Sequence, residues 1–500
     1  MIGKNLLQNI SESANPVFIK EMRQYFQNRR MVFFIGVMLI AQFVFTLFFS
    51  LLSSDTPVSS DSTNGVTFFL LIICIGAVLA ILICAIGSEF RFSEERSDKE
   101  LNYTMLTTLK PTSVILGKLE GALVMLLCIF SLLLPFLTAA YFMRGISVAS
   151  LLLVLILLPP MLMCSLFGIL AGSFGKRAIS ILYLLGMLGF ILSFLPTWFF
   201  LAKEVMGNAV ATGVLWIGIA IEYGLFLLSG TLVFLLSAAV IAPPKSNRFL
   251  PTKIYVFCVP FITFAVLLAI VPFGLPKEAF FIFEFLFDAG AVFFMLAISL
   301  FEPPAAGIRV YMKCPRNFPG RVLHFLFSSS FPGSIFLAIL LMLIPFVIWP
   351  FMHFPRSGHS ALMGLSCVFL TILSYTILAI LLSWKTRLKL KPWGLALIFH
   401  FGFSFLIRFL SGIAALAGLT DFPEWVQGVI MLFSPFYTLS VLITSSDPET
   451  PLMFGLAFAA TISCVLLALI VPTFFRSFKL HHRPSELEAV KTPTPEMLRK

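Results

Sequence analysis

The chain alternates between long apolar runs and short polar segments that carry most of its basic residues. A helix needs roughly 20 apolar residues to cross a hydrocarbon core of about 30 Å, and runs of that length follow one another from Met31 onward. Stretches such as Val66 to Ile86 are apolar on every face, whereas a barrel strand would alternate between apolar and polar positions. The pattern therefore predicts an all-α, polytopic membrane protein.

The apolar runs predict about twelve transmembrane helices, in two halves of six. Their expected bounds are 31–52, 66–88, 119–143, 146–174, 178–201, 222–242, 253–272, 281–301, 331–352, 360–384, 393–415 and 452–473. The Pro159-Pro160 pair is expected to kink or shorten the fourth span, because proline has no amide hydrogen to donate.

Lysine and arginine resist translocation, so their positions predict the orientation of the spans. With both termini in the cytoplasm, 29 of the 34 Lys and Arg residues lie on the inner side and four on the outer side. The apolar segment 426–445 would weaken this bias if it crossed. We therefore interpret it as a re-entrant or interfacial segment on the outer side.

The run from Ala209 to Ala242 is too long for one span, and its first third is expected to lie outside. Each half would then have an outer, non-crossing segment before its last span, which suggests a tandem repeat of parallel topology. The predicted organisation has four parts. These are a cytoplasmic tail with an amphipathic surface helix (1–30), a first six-span half (31–242), a second (243–473) and a cytoplasmic tail (474–500).

Composition supports a membrane location and argues against other classes of protein. The chain is 59% hydrophobic and 11% charged, with a mean hydropathy of +1.02. The net charge of +11 is distributed in clusters between spans, as membrane topology requires, so no nucleic-acid partner is expected. The eight cysteines show no CxxC spacing, and no metal site follows from them.

Residues 15–30 have the pattern of an amphipathic helix on the membrane surface. Asn15 is suited to the N-cap and Pro16 to the first helical position. One face is apolar and includes Tyr25, while the opposite face is polar and includes Glu21. An orientation anchor explains the whole pattern, and it leaves room for a docking role.

The loop between the second and third spans, 89–118, carries the most specific signal. Ser97 and Glu100 have the spacing of a capping box, which predicts a short helix to about Thr108. From pattern alone this is a solvated helix between two spans. The segment Ser93 to Lys118 reads SEERSDKELNYTMLTTLKPTSVILGK.

This segment resembles the cytoplasmic loop of type-2 ABC exporter permeases, which reads T-L-E-L-L-L-x-T-P-L-S-P-x-E-I-L-x-G-K ahead of the third span. The match has no gap. Thr108 stands where the family commonly has its first proline, and Lys99-Glu100 replaces Gly-Thr. The opening from Asn15 to Gln24 is also similar to that family, and the resemblance covers residues 15–140.

The resemblance implies that the loop is a coupling helix, which inserts into a cleft of a separate ATPase subunit. Its docked surface and charged rim would be formed by Glu94, Glu95, Arg96, Leu101, Tyr103, Thr104, Met105 and Leu106. A short capped helix tied to two spans can transmit such motion. Whether the loop 302–330 is a second, degenerate coupling segment or a plain interfacial helix stays open, as does the need for a second permease chain.

The chain lacks the G-x-x-x-x-G-K-[ST] loop that binds nucleotide phosphates, so no cofactor is expected on it. ATP and Mg²⁺ would be used by the partner subunit, and the chain itself is not expected to be an enzyme. HExxH and GxSxG motifs are also missing, which disfavours a membrane enzyme acting on lipid-linked substrates.

Three ionisable residues inside predicted spans mark a candidate translocation path: Glu284, Asp288 and Arg408. Glu284 and Asp288 lie four residues apart near the outer end of the eighth span, where a water-filled vestibule explains them as well as a substrate path does. Arg408 is a candidate partner for either. The leading interpretation is an ABC exporter permease, and the alternative is an ion-coupled secondary transporter.

Overall fold

The computed structural model describes residues 15–27, 29–53, 62–97, 109–142, 157–175, 179–181, 183–184, 187, 211–243, 246–270, 277–303, 308–315, 317–348, 356–385, 392, 396 and 449–482. All regular elements in these ranges are helices, and none is a strand. The all-α prediction is therefore confirmed for this part of the chain. The chain divides into two compact units, Met1–Ala242 and Pro243–Lys500, which are described separately.

The first unit contains seven described helices, of which α3 and α4 are joined by a single π-helical stretch, Ile81–Ile86. Their bounds are α1 Pro16–Gln27, α2 Arg29–Ser53, α3 Ser62–Ala80, α4 Gly87–Ser97, α5 Pro111–Phe142, α6 Leu158–Phe174 and α7 Ala211–Ile241. The core of the unit lies between α3, α5 and α6. There, a Cβ on Gly76 would lie only 2.7 Å from the Leu133 side chain, so glycine permits the close approach of α3 and α5.

The second unit also contains seven described helices. Their bounds are α8 Leu250–Ile270, α9 Lys277–Phe301, α10 Ile308–Tyr311, α11 Phe318–Phe327, α12 Phe331–Ile348, α13 Arg356–Lys385 and α14 Glu449–His482. Helix α9 packs on α12, and α13 packs on α14. Ser374 of α13 and Ser463 of α14 share a buried hydrogen bond of 2.8 Å.

Four described helices meet the length and hydropathy expected of a complete membrane span, or five if the bent pair α11–α12 is one span. Five shorter apolar helices accompany them. The chain is therefore a multi-pass helical membrane protein. Most residues of the predicted spans 178–201 and 393–415 lie outside the described residues, and the whole segment 426–445 does.

Several helices differ in extent from the predicted spans, as three examples show. Helix α7 is a single helix of 31 residues, so the segment expected to lie outside before the sixth span is continuous with that span. Helix α14 continues to His482, beyond the predicted end at 473. Helix α6 begins at Leu158, with Pro159 and Pro160 in its first turn. Amide groups in the first turn of a helix have no helical acceptor, so the amide hydrogen that proline lacks costs no helical hydrogen bond there.

Candidate functional site

The segment that resembles a coupling helix is bounded by the end of α4 at Ser97 and the start of α5 at Pro111. Leu101, Tyr103, Thr104, Met105 and Leu106 lie outside the described residues. The structure does describe the base of the loop, where α4 and α5 meet the amino-terminal helix α1. This three-helix junction is the candidate functional site.

Helix α1 begins as the sequence predicts. The Asn15 side chain accepts a hydrogen bond from the Val17 amide at 3.1 Å, and Pro16 is the first helical residue. The Asn15 amide group also donates to the Ser113 carbonyl at 2.6 Å, which ties the start of α1 to the first turn of α5. The N-cap therefore fixes both the helix and its docking position.

The buried face of α1 consists of Val17, Glu21 and Tyr25, which follow one another at four-residue spacing. The predicted assignment of Glu21 to the solvent face is wrong. Gly117 and Gly121 of α5 lie beneath this face. A Cβ on Gly117 would come within 2.8 Å of the Phe18 amide nitrogen and the Val17 Cβ, so these glycines let the two helices approach closely.

Five charged side chains from α1, α4 and α5 form a row of alternating charge. Lys20 pairs with Glu95 at 2.8 Å, Glu95 pairs with Lys118 at 2.8 Å, and Lys118 donates a short hydrogen bond to Glu21. Arg91 ends the row, 3.6 Å from Glu21. Because Lys118 is 6% and Glu21 5% exposed, their charges depend on each other for compensation.

The inner end of this charged row rests on Tyr25. The Arg91 guanidinium lies 3.3 Å from the centroid of the Tyr25 ring, a cation–π contact, and the Tyr25 hydroxyl is 3.5 Å from the Ser88 hydroxyl. Burial raises the pKa of the Tyr25 phenol, and Arg91 and Ser88 partly offset that rise. The phenol therefore stays neutral and packs as part of the junction.

The three charged residues predicted at the rim of the coupling segment have three different environments in the structure. Glu94 is exposed, and its role at the rim stays a prediction. Glu95 is turned into the junction and bridges Lys20 and Lys118. Arg96 packs against Gly175, whose φ of 59° is left-handed and whose added Cβ would lie 2.9 Å from the Arg96 Cδ.

A second buried carboxylate in this unit was not predicted. Glu89 is fully buried, and Ser180 donates a short hydrogen bond to it. Gly172 of α6 brings that helix against the backbone here, since a Cβ at this position would lie 2.7 Å from the Glu89 carbonyl oxygen. The contact anchors α4 to α6 two residues before Arg91 of the charged row.

The second unit holds a buried ion pair of its own. Lys253 in the first turn of α8 lies 2.8 Å from Glu302, the residue after α9, and both side chains are 0% exposed. Ser334 in α12 donates to Glu302 at 2.6 Å. Burial raises the pKa of Glu302, and Lys253 partly offsets the rise. The pair joins α8, α9 and α12.

Of the predicted path residues, only the Asp288 side chain is described. It is 1% exposed within α9, and its Oδ1 atom has no hydrogen-bond partner among the described residues. The Glu284 side chain and Arg408 lie outside the described part, so the pairing predicted for Arg408 stays a prediction. In the described ranges, no group of three or more metal-ligating side chains comes together.

Sequence reasoning missed the junction because its partners are distant along the chain. Lys118 and Glu21 are separated by 97 positions. Two local signals point to it: the glycine spacing at 117 and 121, and the four-residue spacing of Val17, Glu21 and Tyr25. Comparison of the chain with family models, curated proteins and solved structures finds no match.

Proposed function

We propose that the chain is the membrane-spanning permease subunit of an ATP-driven ABC exporter, with twelve spans and both termini in the cytoplasm. The segment 98–110 would dock on a separate ATPase subunit, which would hydrolyse ATP with Mg²⁺. The proposal starts from the sequence resemblance of residues 93–118.

One structural observation supports this proposal most directly: the salt bridge from Glu95 to Lys118 across the base of the loop. A docked segment transmits force only if its two ends move as one body with the spans. Here the ends are joined to each other through Lys118 and to α1 through Glu21 and Lys20. Displacement of the loop would therefore move α1, α4 and α5 together.

The length of α5 fits this role. Its 32 residues extend about 48 Å at roughly 1.5 Å per residue, well beyond a hydrocarbon core of about 30 Å. The surplus would let Gly117, Lys118 and the junction lie outside the core, on the side that the charge pattern predicts to be cytoplasmic. A soluble ATPase would reach the loop there.

The experiment is purification of the tagged chain from its native host in mild detergent, followed by mass spectrometry and a vanadate-sensitive ATPase assay. We expect an ABC-type ATPase to co-purify with the wild type and to be lost with Met105→Glu. Ser59→Glu, which adds the same charge in the predicted outer loop between the first two spans, should keep the ATPase. Recovery of the folded chain with no ABC-type ATPase would overturn the proposal.

The second candidate function is an ion-coupled secondary transporter, and the buried carboxyl of Asp288 favours it. A buried carboxyl group with an oxygen that has no hydrogen-bond partner among the described residues is suited to protonation or to binding a coupling cation. Reconstitution without ATPase separates the two functions. Substrate-linked proton flux that is abolished by Asp288→Asn would support the secondary transporter, and ATP-dependent transport that survives this change would exclude it.

A further inference from the structure

The bend between α11 and α12 places a short helix across the end of a long one. The two helix axes meet at 98° around the serine turn 328–330. Helix α12 has 18 residues and a length of about 27 Å at roughly 1.5 Å per residue, which nearly matches the hydrocarbon core of about 30 Å. With α12 crossing the core as a span, α11 would lie in the plane of the membrane boundary.

Polar contacts hold this bend rigidly. Lys253 donates a short hydrogen bond to the Ser328 carbonyl at the end of α11, where a cation also complements the helix dipole. Ser329 donates to Asn247 at 2.6 Å and accepts from the Phe249 amide at 3.1 Å. The turn is thus tied to the start of α8, and α11 is held perpendicular to α12.

The apolar side chains of α11 differ in exposure. Phe325 and Leu326 are buried, and the Phe325 ring packs against Phe474 of α14 at a centroid distance of 5.0 Å. Phe318, in the first turn of α11, and Leu323 are 69% and 57% exposed. Large apolar side chains at such exposure, on a helix lying in the membrane plane, are suited to the boundary between headgroups and acyl chains.

Basic residues accompany these exposed apolar side chains. Arg309 and Lys313 are exposed beside Met312, which is 52% exposed, and Arg321 lies on α11 with its Nε 3.4 Å from the Pro315 carbonyl. Among the described residues, no carboxylate forms an ion pair with these three cations. Val310 and Tyr311 are buried, which anchors the segment.

We propose that the segment 308–327, the basic elbow, is a binding site for anionic phospholipid headgroups. Arg309, Lys313 and Arg321 would contact phosphate groups, while Met312, Phe318 and Leu323 enter the acyl boundary. The charges of headgroup and elbow are complementary. Cations near an anionic leaflet strengthen binding about fivefold each, and this attraction falls with ionic strength.

The test is hydrogen–deuterium exchange of the full chain in nanodiscs of phosphatidylcholine alone or with added phosphatidylglycerol. We expect phosphatidylglycerol to slow amide exchange across 308–327 by about fivefold for each cation engaged. Replacing Arg309, Lys313 and Arg321 by Gln should remove the difference between lipids. A matched triple change of Arg144, Lys203 and Lys277 to Gln, in predicted outer loops, should retain it.

A salt series tests the wild type without relying on a variant. Raising the ionic strength from about 0.01 M to about 1 M shortens the Debye length from about 30 Å to about 3 Å, so the protection should disappear. Equal exchange in both lipids at low salt would overturn the proposal. So would protection in pure phosphatidylcholine on adding inorganic phosphate, which indicates a free-anion site, or only on adding an ABC-type ATPase, which indicates a protein-docking surface.

Discussion

Glu95 and Lys118 lie on opposite sides of the segment 98–110, and their side chains pair at 2.8 Å. The same Lys118 ammonium group is bonded to Glu21 on the amino-terminal helix. One cation thus joins three helices at the base of the loop. Because these side chains are buried, the stability of the junction depends on the compensation of their charges.

Replacing Lys118 by Met should destabilise the first unit by about 3–5 kcal/mol, because buried Glu21 then keeps, among the described residues, one ion-pair partner, Arg91 at 3.6 Å. The measurement is SDS- or heat-induced unfolding in detergent, followed by circular dichroism. Combining Lys118→Met with Glu21→Gln should recover much of the loss. Lys110→Met, at an exposed position, should change stability by no more than about 0.5 kcal/mol. Equal effects at both lysines would contradict the prediction.

Gly117→Ala should loosen the docking of α1 on α5. The new Cβ would meet the Phe18 amide nitrogen and the Val17 Cβ at 2.8 Å, and overpacking of this kind costs about 1–3 kcal/mol. We expect faster amide exchange across residues 16–27. Gly36→Ala is the matched control, since its Cβ would meet nothing within 4 Å, and it should leave exchange in α1 unchanged.

The junction should weaken at high pH through Tyr25. The folded-state pKa of this phenol is raised, so the stability that it contributes is fully present below its unfolded pKa of about 10. That stability is lost as pH rises through the folded pKa. The unfolding midpoint of the wild type should therefore fall more steeply above pH 10 than that of Tyr25→Phe. Parallel pH profiles would show that Tyr25 does not titrate in this way.

Gly333→Ala should destabilise the bend between α11 and α12. A Cβ at this position would collide with the Phe325 carbonyl oxygen, a backbone atom that a side-chain rotation cannot move away. We expect a loss of about 1–3 kcal/mol in the unfolding of the second unit. Gly290→Ala in α9, with nothing within 4 Å of the new Cβ, should lose much less. The prediction fails if the two variants unfold alike.

The helices could be predicted from the sequence because their signals are local. Hydropathy alone locates the apolar helices, and Asn15 with Pro16 fixes the start of α1 within one residue. Capping and span length depend on neighbouring residues, so a single sequence contains the required information.

The contacts of the candidate site could not be predicted in the same way. Glu21 follows the polar pattern of a surface helix, and only the arrival of Lys118 and Arg91 from distant helices makes its burial favourable. The pair Lys253–Glu302 also joins residues that no local pattern relates. Buried charges in this protein are therefore properties of the assembled helices rather than of any segment.

The separation of 97 positions between Glu21 and Lys118 has a consequence for synthesis of the chain. At about 5–20 residues per second, roughly 5–20 s pass between the appearance of the carboxylate and that of its ammonium partner. During that interval α1 has no buried site to occupy. Its exposed Ile19 and Phe26 allow it to bind the lipid surface. Because of the order of translation, we expect α1 to bind the membrane surface first and to join the folded junction later.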